Sequence, residues 1–134
     1  MQSLVPVAVR AVASFQLNQA LLARENRLRS ADDFRNTMKL GRKAVTDHMV
    51  VYLNNLNNQD PFKLGLVVGK TAGNAVQRNL VKRRMRAAIQ KRLEFFGSGE
   101  ALVLRALPGL VDLSWEDFCA ELDSNITRVK RTVN

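Results

Sequence analysis

Arg78, Lys82 and Arg86 recur at every fourth position, with Asn79 and Arg83 beside them. At about 100° per residue a helix gathers these five into one arc about 140° wide. Val81, Met85, Ala88 and Ile89 fall on a different arc, the one that can face a sheet. Guanidinium and ammonium groups at that density do one kind of chemistry, neutralising and hydrogen-bonding phosphates. An ordinary solvated helix face interleaves glutamates at i±4 to relieve like-charge repulsion, and none occurs here before Glu94. The arc is therefore read as a polyanion-binding face, for nucleic acid first and an anionic membrane surface second. Just upstream, Gly73-Asn74 reads as a tight turn at the helix N-terminus, where outward backbone N–H groups suit a phosphate. Lys70 adds a further cation to that turn. Gly65 to Thr71 imitates a nucleotide-binding P-loop, but three residues separate the glycines where the motif needs four. An NTPase is rejected on that spacing.

Side chains for bond making and breaking are missing. His48 is the single histidine and Cys119 the single cysteine, which excludes a disulfide framework and zinc sites built on several of either residue. His48 reads as an isolated strand residue, packed or on the surface. Asp32 and Asp33 are adjacent, so on a helix they point about 100° apart and serve as first-turn dipole partners rather than a metal pair. Cys119, Trp115 and Phe118 read as core. No catalytic residue is assigned, and no metal site is located in the protein.

The elements that must carry these residues follow from pattern. The 134 residues, 46% of them apolar, suit one domain with a buried core. Twenty-one Lys and Arg against twelve Asp and Glu give a net charge of +9. Nine of the cations and no acid lie between Pro61 and Leu93, so the rest of the chain is neutral. Residues 1–20 hold one charge, Arg10, and read as an extension of little order or an upstream start, with the domain at 21–134. No apolar run approaches the ~20 residues of a membrane span, and the lack of cysteine pairs fits a reducing, cytoplasmic setting.

Ser30 reads as the cap of a helix carrying Phe34 and Met38 and ended by Gly41. Ala44 to Leu53 reads as strand, with a further short strand expected around Arg42 to Thr46. Asn54 to Pro61 reads as a hairpin-type loop, and Phe62 to Gly69 as a second strand. A long helix is expected from Ala75 to about Phe96, stopped by Gly97-Ser98-Gly99. A buried strand at Ala101 to Leu107 and a helix capped by Ser114 complete an α/β sandwich of one small sheet and packed helices.

The run from Gly73 to Arg86 resembles the RNR signature of the protein subunit of bacterial ribonuclease P. The similarity continues in Glu25 to Arg29, Asp33-Phe34, Val50-Val51-Tyr52, Leu64 to Val68 and Arg105, covering about residues 22–131. The resemblance implies a four-stranded mixed sheet with three helices, a left-handed β-α-β crossover and a fold shared with the second domain of ribosomal protein S5. It implies a subunit of a ribonucleoprotein endonuclease in which the RNA cleaves the 5′ leader from precursor tRNA, using magnesium. The protein would bind the catalytic RNA and the leader, one protein to one RNA. On this resemblance Lys70, Asn74, Arg78, Asn79, Lys82, Arg83 and Arg86 contact the catalytic RNA. Phe34, Met38, Val50 and Tyr52 line the leader cleft, where aromatic rings beside a basic helix suit unstacked bases. Three positions depart from the family pattern. Leu80 replaces the motif's third basic residue, with Arg84 the candidate substitute. Thr71 replaces a lysine, and Met38 stands where an aromatic is common. The competing reading is a stand-alone RNA-binding or ribosomal protein of similar fold.

Overall fold

The computed structural model of the chain describes residues 26–131; the extension expected at residues 1–20 lies outside them. Ser30 caps α1 (Ala31–Leu40), its Oγ accepting the Asp33 N–H at 3.2 Å. Gly41 ends α1 in an extended conformation and is required for room. A Cβ there would lie 2.5 Å from the Thr37 carbonyl oxygen and 2.7 Å from that of Leu53. The strands follow as β1 (Arg42–Val45), β2 (Met49–Asn55), β3 (Lys63–Val67) and β4 (Glu100–Ala106), with α2 (Ala75–Gln90) between β3 and β4 and α3 (Trp115–Arg131) last.

The sheet order is β1-β2-β4-β3, antiparallel except for the parallel β3–β4 pair. The stretch Asn54 to Pro61 is therefore not a hairpin loop. β4 inserts between β2 and β3, because Ala101 to Leu104 are buried on both faces and can only be central. α2 is also shorter than expected, ending at Gln90 before a single 3-10 turn at Leu93–Phe95. Arg92 redirects the chain there, donating to the Ala88 carbonyl at 2.8 Å and to both carboxylate oxygens of Asp123.

The hand of the β3-α2-β4 crossover follows from register. The Leu107 N–H donates to the His48 carbonyl at 2.9 Å across the β2–β4 ladder. By alternation the peptide groups of Val103 and Arg105 also face β2, and those of Leu102 and Leu104 face β3. The side chains of Leu102 and Leu104 belong to the layer packed by α2. In an upward strand, an L-residue whose side chain points at the viewer has its N–H and C=O on the right. Seen from α2, β3 thus lies to the right of β4, and the chain crosses in front of the sheet from right to left. The crossover is left-handed, against a strong general preference for the right hand.

α2 and α3 cover one face of the sheet. Val81, Met85, Ala88 and Ile89 from α2 and Phe118, Leu122, Ile126 and Val129 from α3 pack there with Leu102 and Leu104. α1 covers part of the other face, over Val50, Tyr52, Ala101 and Val103. Of the α3 residues read as core, Phe118 is fully buried, Trp115 is 36% exposed and Cys119 lies half-buried. Trp115 sits at the first position of α3, where its ring stacks on Phe118 and meets the Lys91 ammonium.

His48 lies in the β1–β2 turn rather than within a strand, and it has a partner. Its backbone N–H and ring Nδ1 reach the Glu121 carboxylate at 2.8 and 3.0 Å, and the Thr46 hydroxyl donates to the same group. Burial alone would raise the Glu121 pKa, but the hydrogen bonds from Thr46 and His48 and the His48 charge outweigh it, holding the carboxylate below its ordinary value. A depressed folded-state pKa gives stability above the unfolded value, about 4.3, that is lost as pH falls toward the folded value. Glu121→Gln is accordingly expected to flatten the fall in melting temperature between about pH 5 and pH 3. An acid limb identical to that of the parent chain would remove this role from Glu121.

Candidate nucleic-acid interface

Asn74 starts α2 through a reciprocal capping box. Its Oδ1 accepts the Gln77 N–H at 2.8 Å, and its own N–H donates to Gln77 Oε1 at 2.9 Å. The Gly73 N–H donates to the Lys70 carbonyl at 3.2 Å. Both turn amides that the sequence offered to a phosphate are thus engaged within the chain. Gly73 has φ of 136° and a Cβ there would strike Gln77, so the turn is built for this cap and for helix entry.

The cationic arc is present. Asn79 and Arg83 are exposed, while Arg78, Lys82 and Arg86 are half-buried along the flank nearer the sheet. Lys70 is exposed in the 3-10 turn before the helix. Among the described residues, the ion pairs Arg35–Asp32, His48–Glu121, Lys63–Asp60, Arg92–Asp123 and Lys130–Glu100 leave the arc aside. Arg78 also donates to the Gly73 carbonyl at 3.3 Å, which ties part of its guanidinium to the turn. Arg84 does not stand in for the missing third basic residue of the motif. It faces α3 and donates to the Leu113 carbonyl at 2.9 Å.

The chain just before α1 runs along the free edge of β3. Arg27 bridges to Leu64 in parallel fashion, the Leu28 N–H donates to the Leu64 carbonyl at 3.0 Å, and Asn26 Nδ2 holds the Phe62 carbonyl at 3.0 Å. This edge closes a cavity of about 210 Å³ whose lining includes Arg27, Phe34, Gly65, Lys82 and Arg86. Phe34, expected in the leader cleft, therefore shares a pocket with two residues expected on the catalytic RNA. The contact depends on Gly65. A Cβ at that position would lie 2.6 Å from the Phe34 ring.

Phe34, Met38, Val50 and Tyr52 do come together in one apolar cluster with Leu28, Ala101 and Val103. Their exposure differs from an open stacking platform. Val50 and Tyr52 are 5% and 4% exposed, whereas Phe34 and Met38 are half-buried. Register sets Lys43, Tyr52, Val103 and Gly65 in one row across the sheet, and Val45, Val50, Arg105 and Val67 in the next. Lys43 and Arg105 are exposed at these rows, with the Lys43 ammonium 6.0 Å from the Tyr52 ring centre. Sequence reasoning left Arg27, Lys43 and Arg105 off the site. Arg105 alone carried a readable signal, a cation within an otherwise apolar strand. Among the described residues no three His, Cys, Asp or Glu side chains meet to hold a metal ion, and no helix is long and apolar enough to cross a membrane. What the surface offers chemically is phosphate neutralisation, one accessible ring and a cationic margin to an apolar sheet.

Residues 22–130 match the family model described as Ribonuclease P. The ribonuclease P protein component of Arthrobacter sp. (strain FB24) is 39% identical over 112 residues, 83% of this chain and 82% of the relative. That of Pseudarthrobacter chlorophenolicus is 41% identical over 113 residues, 81% and 83% of the two chains. The solved RNase P protein of Staphylococcus aureus superposes with a TM-score of 0.71 at 27% identity, covering 78% of this chain and 95% of that one.

Proposed function

The chain belongs to the ribonuclease P protein family, and from that premise we propose how its residues divide the work of leader removal from precursor tRNA. As a ribonuclease P protein component it is part of a tRNA-processing endoribonuclease. Relatives matched over more than four fifths of both chains carry that description, which disfavours a stand-alone RNA-binding or ribosomal protein.

In this reading Lys70, Asn79, Lys82, Arg83 and Arg86 bind phosphates of the catalytic RNA, with Arg78 and Asn74 holding the turn that aims them. The carrying observation is that, among the described residues, none of the ion pairs named above takes up Lys82, Arg83 or Arg86. Phe34 and Met38 meet the single-stranded leader, and Val50 and Tyr52 form the wall beneath it. Arg27 and Arg105 supply phosphate contacts at the two ends of that surface. Phe34 lies beside Lys82 and Arg86, so leader and catalytic RNA meet at the β3 edge. The chain's own residues bind, orient and neutralise. Magnesium would be held by the RNA, where it supplies the charge stabilisation for phosphodiester cleavage. One protein per RNA, acting in the cytoplasm, completes the reading.

Reconstitution tests it. Purified chain is added to ribonuclease P RNA and leader-bearing precursor tRNA at low magnesium. Leader removal is expected only when both protein and RNA are present. Equal binding to any RNA, without stimulated cleavage, would overturn the assignment.

A further inference from the structure

At the far end of α2 from the Gly73 turn, Phe95 is 48% exposed. Single exposed apolar residues are common on protein surfaces, but three features set this one apart. First, the ring borders a groove of about 630 Å³ between the Leu93–Phe95 turn and the C-terminal half of α3, floored in part by Ile126. Cavities that enclose small organic groups run to roughly 300–1,000 Å³. Second, the backbone that presents the ring is anchored. Lys130 Nζ donates to the Phe95 carbonyl, and the next residue, Phe96, stacks on Phe62 with ring centres 4.8 Å apart. Phe96 is thereby turned inward and Phe95 outward on a fixed support. Third, cations outnumber acids around the groove, with Lys91, Arg92, Lys130 and Arg131 against Glu94 and Asp123. Arg92 neutralises Asp123 through two hydrogen bonds, and the exposed Lys91 and Arg131 stand at the margin.

A fixed, accessible ring in a concave site edged by cations is the arrangement that takes a splayed-out nucleobase, with its phosphate on the neighbouring charge. The sixteen residues of α2 span about 24 Å at 1.5 Å per residue, which sets this groove about one helix length from the Gly73 turn. We propose that the Phe95 groove is a second RNA contact, holding an unpaired nucleotide of the ribonuclease P RNA by stacking on Phe95. The proposal rests on the catalytic-RNA reading of α2 and adds to it a contact specific for a single-stranded nucleotide.

The test uses the full chain, ribonuclease P RNA, filter-binding affinities and chemical probing of the RNA at nucleotide resolution. Phe95→Ala is expected to weaken RNA binding about tenfold and to unmask one or a few unpaired nucleotides that the parent chain protects. Phe95→Trp, which keeps a stacking surface, is expected to retain both affinity and protection, and it serves as the control should the alanine variant melt early. Parent-like affinity and protection in Phe95→Ala would overturn the site, as would weaker binding with no local change in protection. Failure of Phe95→Trp to bind, although folded, would do the same. A Phe95-dependent shift to dimers without any change in RNA binding would reassign the groove to a second copy of the chain. Failure of the parent chain to bind this RNA at all would instead remove the reading of α2 on which the proposal stands.

Discussion

Replacing Lys82 and Arg86 together by alanine is expected to lower affinity for the ribonuclease P RNA about 30- to 150-fold at fixed salt, at roughly 1–1.5 kcal/mol for each phosphate left without its cation. The same variant should show a shallower salt dependence. Each neutralised phosphate contributes about 0.7 to 0.9 to the slope of log K against log salt, so removing two cations takes away about 1.4 to 1.8. The fold should tolerate the change. Both side chains are half-buried, with aliphatic stems on the flank of α2, while the core stripe of Val81, Met85, Ala88 and Ile89 is untouched. A stability loss below about 1 kcal/mol is expected, and relief of i,i+4 repulsion offsets part of it. A salt slope equal to that of the parent would show that these cations meet no phosphate. Because Phe34 and Arg27 line the same cavity, combining either with this pair should give less than the sum of the separate effects.

Tyr52→Ala is expected to act on the fold before it acts on RNA. At 4% exposure, within the cluster of Leu28, Val50, Ala101 and Val103, the truncation should cost about 3–5 kcal/mol. Such a loss is a large part of a small domain's stability, so weakened substrate binding by this variant would say little about stacking. Arg105→Ala separates the two roles. Its side chain is exposed on the row of Val50 and Val67, so the fold should stay within about 0.5 kcal/mol of the parent. Affinity for leader-bearing precursor tRNA should fall several-fold, while mature tRNA is bound as before. A Tyr52→Ala chain that melts with the parent, or an Arg105→Ala chain that loses both tRNAs equally, would refute this division of the α1 face.

The split between those two residues shows where sequence stops being informative. Helix caps are local and therefore readable. Ser30, Asn74 and Ser114 each precede a helix whose third residue donates its N–H to their side chain. The cationic arc of α2 is readable for the same reason, since one helix turn fixes which residues share a face. Strand partnership is not local. Nothing in Asn54 to Pro61 distinguishes a loop joining neighbours from one that leaves a gap for β4. The clue lies 40 residues further on, in the uninterrupted apolar run of Ala101 to Leu104. Burial on the α1 face is equally illegible. Whether Tyr52 is a platform or a wall depends on the diagonal of α1 across the sheet, from Gly65 to the Leu53 end. Arg84 and Lys82 are alike as cations, and only the position of Leu113 makes one of them a structural donor.

The place of β4 in the sheet also orders events in time. It is the last strand in the chain and pairs with both β2 and β3, so no sheet of more than the β1–β2 pair can exist until it has been made. α2 precedes it. The helix ends at Gln90 and β4 at Ala106, a lag of about one to three seconds at ordinary rates of protein synthesis. For that interval the growing chain carries a capped, polycationic segment with no wall behind it. Its charges repel along the helix and its apolar stripe is uncovered. A polyanion met at that moment relieves the first problem and β4 the second.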